Sequence, residues 1–353
     1  MKNIFKHIAI SAAVILSAAA CDKWTEQEPL EFDYVTIDEK NPALYEAYLQ
    51  SVRDYHATEH QVLIARFDNK EGALSGRADH VNCLPDSVDY VVLNNVSVIT
   101  ETVLAEVAQI RKDKGMKVLI PLDYDVLEKE YSLYLEDLAA EAGEEYVAPG
   151  AEEAIAAKVA WFGAKAEAFV AAAVEHGMDG VMVSYVGINP LGLKAGEDAA
   201  VIAVQEAFFG PVLSYLGENE GKLLFFQGNP KNLLLDADVL TPAKYIIVPA
   251  ESVSNTEGFN YAVASMTGQG IPSDKFVLGV TAFDVTDETA TDGLFSGDIS
   301  AIDGASRWVV TPDPDIKKLG VCVNHAQFDY FNIQNVYGQI NTAIATMNPS
   351  PVK

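Results

Sequence analysis

Short runs rich in Val, Ile, Leu and Phe recur along this chain, separated by stretches whose apolar residues fall at helical spacing. Eight runs stand out: Gln61–Asp68, Tyr90–Asn95, Lys117–Asp123, Gly180–Gly187, Lys222–Gly228, Tyr245–Pro249, Phe276–Asp284 and Leu319–His325. Most are near-continuous rather than alternating, as expected of parallel strands covered on both faces. Intervals such as Thr100–Lys114 and Asp198–Leu216 carry a helical period, and a first helix is expected around Pro42–Tyr55. Strand and helix alternating eight times predicts an α/β fold, a closed (β/α)8 TIM barrel rather than an open doubly wound sheet. No Gly-rich phosphate loop follows the first run, which weakens a nucleotide-binding reading.

The widest interval, Tyr124–Gly177, holds two helical segments split by Val147-Ala148-Pro149-Gly150. One is expected to be the ordinary barrel helix and the other an insertion over the mouth. Tyr131 and Tyr134 share a helix face there, a spacing that favours packing over a sugar platform. Trp161, in the Ala-rich segment, is expected in the core, while Trp308 remains a candidate platform.

The first twenty residues place Lys2 and Lys6 ahead of an apolar run, Ile8–Ala20, that is too short to span a bilayer. Ala18-Ala19-Ala20-Cys21 resembles a bacterial lipobox, which implies acylation at Cys21. Residues 1–20 are thus expected as a signal peptide and 21–45 as an acidic tether. Residues 46–353 would form one barrel domain, held at the outer membrane by lipid alone and facing the cell exterior. No later segment reads as a membrane span. Removing the signal takes away two lysines and no acid, so the formal charge moves from −27 to −29. Such a surface repels nucleic acid and polyanionic glycans and is compatible with neutral sugars. Cys322 reads as a packed free thiol, and no Cys/His cluster has metal-ligand spacing, so neither metal nor cofactor is expected.

The C-terminal mouth of a barrel collects the strand ends. Here those ends carry amides, carboxylates and aromatic rings: Phe67, Asp68 and Asn69; Asn94 and Asn95; Asp123 and Tyr124; Gln227 and Asn229; Glu251; Phe283 and Asp284; Asn324, His325 and Gln327. Polar groups there cost desolvation unless a ligand, water or one another satisfies them. Together they read as a carbohydrate-binding mouth, although loop residues of these types often cap backbone instead.

The fourth run, Asp179-Gly180-Val181-Met182-Val183-Ser184-Tyr185-Val186, resembles the Asp-Gly-x-Asp-x-Asp-x-Glu signature of family 18 glycoside hydrolases, the chitinases and endo-N-acetylglucosaminidases. Its first two positions match, while Met182, Ser184 and Val186 replace the acidic ones. Alternation puts those three on one face, toward the barrel interior. Weaker similarities extend over roughly residues 60–335. Pro85-Asp86-Ser87-Val88-Asp89 is similar to the segment leading into the second strand. Gly279-Val280-Thr281-Ala282-Phe283 stands at Gly-x-Pro-x-Tyr, and Gly320-Val321-Cys322-Val323-Asn324 at Gly-x-Met-x-Trp. At the sixth strand Val248-Pro249-Ala250-Glu251 stands in place of Met-x-Tyr-Asp.

Family 18 hydrolysis is substrate-assisted: the acetamide oxygen attacks, a Glu protonates the leaving oxygen, and an Asp steadies the oxazolinium ion. The resemblance therefore implies a barrel that has lost its acid at Val186 and its anion at Ser184, a loss costing about 100- to 10,000-fold for the acid alone. Three functions follow as expectations. The first is a non-catalytic surface lipoprotein, monomeric, capturing N-acetylglucosamine-containing oligosaccharides of N-glycan or chitooligosaccharide type for an outer-membrane importer. The second is an active glycosidase using a displaced acid such as Asp123, Glu251 or Asp284. The third is a surface barrel that binds a partner protein.

Overall fold

The computed structural model describes residues 37–143, 147–287, 289–296, 299–332 and 335–349. The expected signal peptide, Cys21 and most of the expected acidic tether lie outside the described residues. Two units are distinguished, 1–47 and 48–353. In the first, the described end of the tether is helical, with a short turn at Ile37–Lys40. The helix Pro42–His56 (α1) starts before the expected domain boundary at 46.

The second unit is a closed barrel of eight parallel strands paired in sequence order. They are β1 (Val62–Phe67), β2 (Tyr90–Leu93), β3 (Lys117–Asp123), β4 (Gly180–Tyr185), β5 (Leu223–Gly228), β6 (Ala243–Pro249), β7 (Phe276–Thr281) and β8 (Lys318–Asn324). Every predicted strand is present; several end two or three residues earlier, because their polar tips leave the ladder for the mouth. After β2 comes α2 (Glu101–Lys114), capped by the Thr100 side chain.

Alternation sorts the core into two shells. Ile64, Val92, Leu119, Met182, Phe225 and Cys322 fill the lumen. Leu63, Ala65, Phe67, Val181, Val183 and Tyr185 face the helices. Cys322 is a free thiol, pushed up to about 12 by its burial. Phe67 belongs to the outer shell, so it packs against helices instead of lining the mouth, contrary to expectation.

The long interval between β3 and β4 resolves into α3 (Tyr124–Ala142) and α4 (Ala151–Glu175). In α4, Phe162, Ala166, Phe169 and Ala173 are buried at helical spacing, and α4 runs beside α5 (Asp198–Glu218). It is the barrel helix. The added element is α3, which buries only its first turns through Tyr124, Leu127 and Tyr131. Tyr131 is buried against Trp161 while Tyr134 is exposed. By length and composition α5 could cross a membrane, an exception to the expectation that no later segment would. It instead buries Phe208, Phe209 and Val212 in the barrel core. Trp308 is buried and its Nε1 donates to Asn260 Oδ1, so it offers no platform.

The two retained positions of the strand-4 signature have structural work. Asp179 accepts from Arg111 Nε at 2.7 Å and from the Val118 N–H at 2.8 Å, tying β4 to β3 and α2. A Cβ on Gly180 would stand 2.2 Å from the Leu223 carbonyl oxygen, so only glycine lets β5 close against β4.

Candidate functional site

Arg66 organises the mouth. It follows Ile64 on the inward face of β1, and its guanidinium reaches across the lumen to the opposite strand. Nε donates to Asn94 Oδ1 at 3.0 Å, and Nη1 donates to Gln227 Oε1 on β5 at 2.8 Å. Asn94 in turn donates to Asp68 at 2.6 Å, and Gln327 donates to the other Asp68 oxygen. The chain of partners thus links the tips of β1, β2, β5 and β8. Sequence reading passed over Arg66; the available signal was a single cation inside the buried run Val-Leu-Ile-Ala-Arg-Phe, where arginine is rare without partners.

Beside this network lie polar groups on the same inward face. Asp123 and Gln227 flank Ser184 in register on β3 and β5. Thr281 pairs with Asn324 across β7 and β8. Asn324 Nδ2 donates to Glu251 Oε1 at 2.6 Å. Two atoms are left over: Ser184 Oγ and Asn324 Oδ1 are buried and have no partner. Their side chains are more than nine-tenths buried. An orphaned polar atom costs about 1–3 kcal/mol, so these two atoms are unsatisfied positions in the floor.

The electrostatics follow from burial around one fixed cation. Burial pushes the Asp123 carboxyl up from the ordinary range, while the Val126 N–H and the Arg66 charge pull it partly back. Burial likewise raises Glu251, opposed by hydrogen bonds from backbone and Asn324 and by Arg66. Burial also works to raise Asp68, but hydrogen bonds from His325, Asn94 and Gln327 outweigh it and hold that group below its usual value.

Position 186 is hydrocarbon. Val186 lies one residue past the end of β4, with its side chain about half exposed (51%). Met182 and Ser184 point inward as alternation requires, whereas Val186 sits on the rim. Its backbone is fixed on both sides. Asp125, in the first turn of α3, accepts from the N–H groups of Val186 and Gly187 at 2.8 and 3.1 Å. Asn232 Nδ2 donates to the Val186 carbonyl at 2.7 Å. Asp125 gave no sequence signal, because only the strand ending places it beside residue 186.

Several expected contacts serve the scaffold. Asn69 and Asn95 exchange three hydrogen bonds of 2.6–3.0 Å that staple the loops after β1 and β2. The Tyr124 hydroxyl donates to Glu128, and its ring lies 4.7 Å from that of Tyr185 in the outer shell. Asn229 caps the turn at Lys231, and Asp284 accepts from the Thr286 N–H and hydroxyl. Phe283 is half-buried just past β7. The structure therefore brings together Asp68, Asn94, Asp123, Ser184, Gln227, Glu251, Asn324 and Gln327, and leaves Phe67, Asn69, Asn95, Tyr124, Asn229 and Asp284 in packing and capping roles.

His325, at positive φ after β8, interacts through Nδ1 with Asp68 Oδ2. The Asp68 hydrogen bond raises its pKa above the ordinary value, against burial that lowers it. A raised folded-state pKa stabilises below the unfolded value of about 6.5 and fades as pH rises through the folded value. His60, raised in the same way by Asp89, contributes the same sign and is present in both proteins of the comparison. Between pH 6 and pH 9, the wild-type Tm should therefore fall more than that of His325→Gln. Equal falls would remove the Asp68–His325 pair from the account.

Comparison with known proteins places these features. A family profile described as glycoside hydrolase family 18, BT1044-like, matches residues 25–346. A selenomethionine form of BT1044 carrying a Glu-to-Gln substitution superposes with a TM-score of 0.59 at 18% identity, covering 88% of this chain and 95% of that one. The endo-β-N-acetylglucosaminidase of Cordyceps militaris, in apo form, gives 0.59 at 16% identity, covering 86% and 96%. A doubly substituted mutant of the Cordyceps militaris enzyme, in complex with fucosyl-N-acetylglucosamine-Asn, gives 0.58 at 16% identity over 86% and 96%. At these identities the likeness is one of fold. No curated protein matches the chain.

Proposed function

Because this chain belongs to glycoside hydrolase family 18, in its BT1044-like group, we propose that it is a member that binds glycan without cleaving it. The observation that carries the reading is the composition of the mouth: hydrocarbon at Val186, an uncharged orphan at Ser184, and a fixed cation, Arg66, across the lumen. The family's chemistry builds positive charge on the sugar. A like charge fixed in the same lumen opposes that build-up, most strongly where water is excluded. With the proton donor also gone, cleavage is disfavoured twice.

Binding is favoured by the same groups. Arg66 has donors beyond those given to Asn94 and Gln227, Asn324 Oδ1 needs a donor, and Ser184 Oγ takes either role. An N-acetyl group supplies both, with its carbonyl to accept and its N–H to donate. The ligand class is thus a neutral oligosaccharide containing N-acetylglucosamine, of N-glycan or chitooligosaccharide type. The Cordyceps militaris mutant holds fucosyl-N-acetylglucosamine-Asn, a ligand of that chemistry. The N-terminal residues support a lipid anchor at Cys21 and a place at the outer-membrane surface, handing captured glycan to an importer. Calorimetric titration with neutral chitooligosaccharides and released N-glycans should give saturable binding; no binding to any of them overturns the reading.

A second reading rests on the raised Glu251 and Asp123 carboxyls, since a general acid must hold its proton near neutral pH. It predicts release of sugar from a labelled N-glycoprotein, abolished by Glu251→Gln or Asp123→Asn.

A further inference from the structure

Directly after β8 the backbone enters the left-handed region at His325, with φ 54° and ψ 41°. That conformation strains a residue with a side chain and persists where its surroundings fix it. Three contacts fix it here. The His325 carbonyl accepts from the Phe328 N–H at 2.9 Å, the two rings stack at 5.4 Å with 19° between their planes, and Nδ1 meets Asp68. Phe328 is itself packed against the outer shell of the core, so the ring beneath is anchored. We propose, building on the capture reading, that the His325 ring is the stacking platform of the mouth. It receives the flat C–H face of a pyranose with equatorial substituents, as in N-acetylglucosamine.

The ring has the exposure this role requires. Its neighbours Asn324 and Ala326 are buried, whereas the His325 side chain is about half exposed (47%). Phe328 covers one face, which leaves the other to a ligand. An aromatic face is electron-rich and attracts the weakly positive C–H groups of a sugar. The rings expected to do this elsewhere are turned away: Phe67 and Tyr124 pack in the outer shell, and Trp308 is buried.

The platform is tied to the floor. Asp68 fixes the rotation of the imidazole, and the same carboxylate accepts from Asn94, which receives Arg66. The charges of Arg66 and Glu251 also act on the imidazole, so it stands close to the floor groups. A ring oriented beforehand by two partners loses little freedom when a sugar arrives. The turn alone does not account for the imidazole, because asparagine visits the left-handed region as readily and carries no ring.

Calorimetric titration with chitotetraose, comparing wild type with His325→Asn and His325→Trp, tests the platform. Asparagine suits the backbone and keeps a side-chain N–H for Asp68, so losing only the ring should weaken binding roughly five- to tenfold. Tryptophan restores a larger face, so His325→Trp should bind at least as tightly as wild type, with a blue shift in its emission at saturation. Equal affinity of His325→Asn and wild type, or weaker binding by His325→Trp than by His325→Asn, overturns the platform and leaves capture standing. No binding by the wild type overturns both.

Discussion

Arg66→Met should weaken capture of an N-acetylglucosamine oligosaccharide by about 10- to 100-fold, since a hydrogen bond to a charged group contributes roughly 1.5–3 kcal/mol. Methionine keeps much of the stem in the lumen and removes only the guanidinium. Asn94 and Gln227 lose their donor, and Asp123 and Glu251 lose the charge that opposes their raised pKa values. The carboxyls should then hold their protons to higher pH. Calorimetric titration of wild type and variant reads the affinity directly. An unchanged Kd would mean that the ligand rests on the rim and never reaches the floor.

Gly228→Ala should be the most damaging single methyl at the mouth. Gly228 sits at φ +124°, and a Cβ there would lie 2.1 Å from the Tyr185 carbonyl oxygen. That oxygen also accepts from the Asn229 N–H at 2.8 Å, so it cannot retreat without breaking the turn after β5. Left-handed strain and the clash together should cost about 3 kcal/mol or more, lowering Tm by roughly 6–12 °C. Because Gln227 precedes this glycine and stands opposite Ser184, any relaxation moves the floor of the mouth as well. A thermal midpoint within a degree of wild type would show that the β4–β5 junction is softer than its geometry implies.

The barrel was legible because its strands announce themselves twice, as near-continuous apolar runs and by regular separation. Period-two alternation then assigned faces correctly where the ladder persists, at Met182 and Ser184. It failed for Val186, since sequence did not reveal that pairing stops at Tyr185. The mouth was legible only as a list of polar strand tips. Nothing in the residue type distinguishes Asn94, which receives Arg66, from Asn95 next to it, which staples a loop. That distinction depends on which neighbours arrive from distant strands. Arg66 itself was hidden by its apolar surroundings, although a lone cation in a buried run is the kind of local inconsistency that marks a site. Its role appears only when β1 and β5 face each other across the lumen.

The signature on β4 illustrates the same division. Asp179 and Gly180 keep their identity for reasons of packing and backbone capping, far from the reacting end. The positions toward the mouth carry no such structural obligation. A barrel can therefore carry valine at 186 and serine at 184 and still close.

Capture without cleavage is tested most directly by equilibrium dialysis of end-labelled chitotetraose against the protein, followed by chromatography of the sugar recovered from the protein side. The account predicts an excess of label on that side, all of it at its original length. Label distributed evenly, or recovered as shorter oligosaccharides, would contradict it.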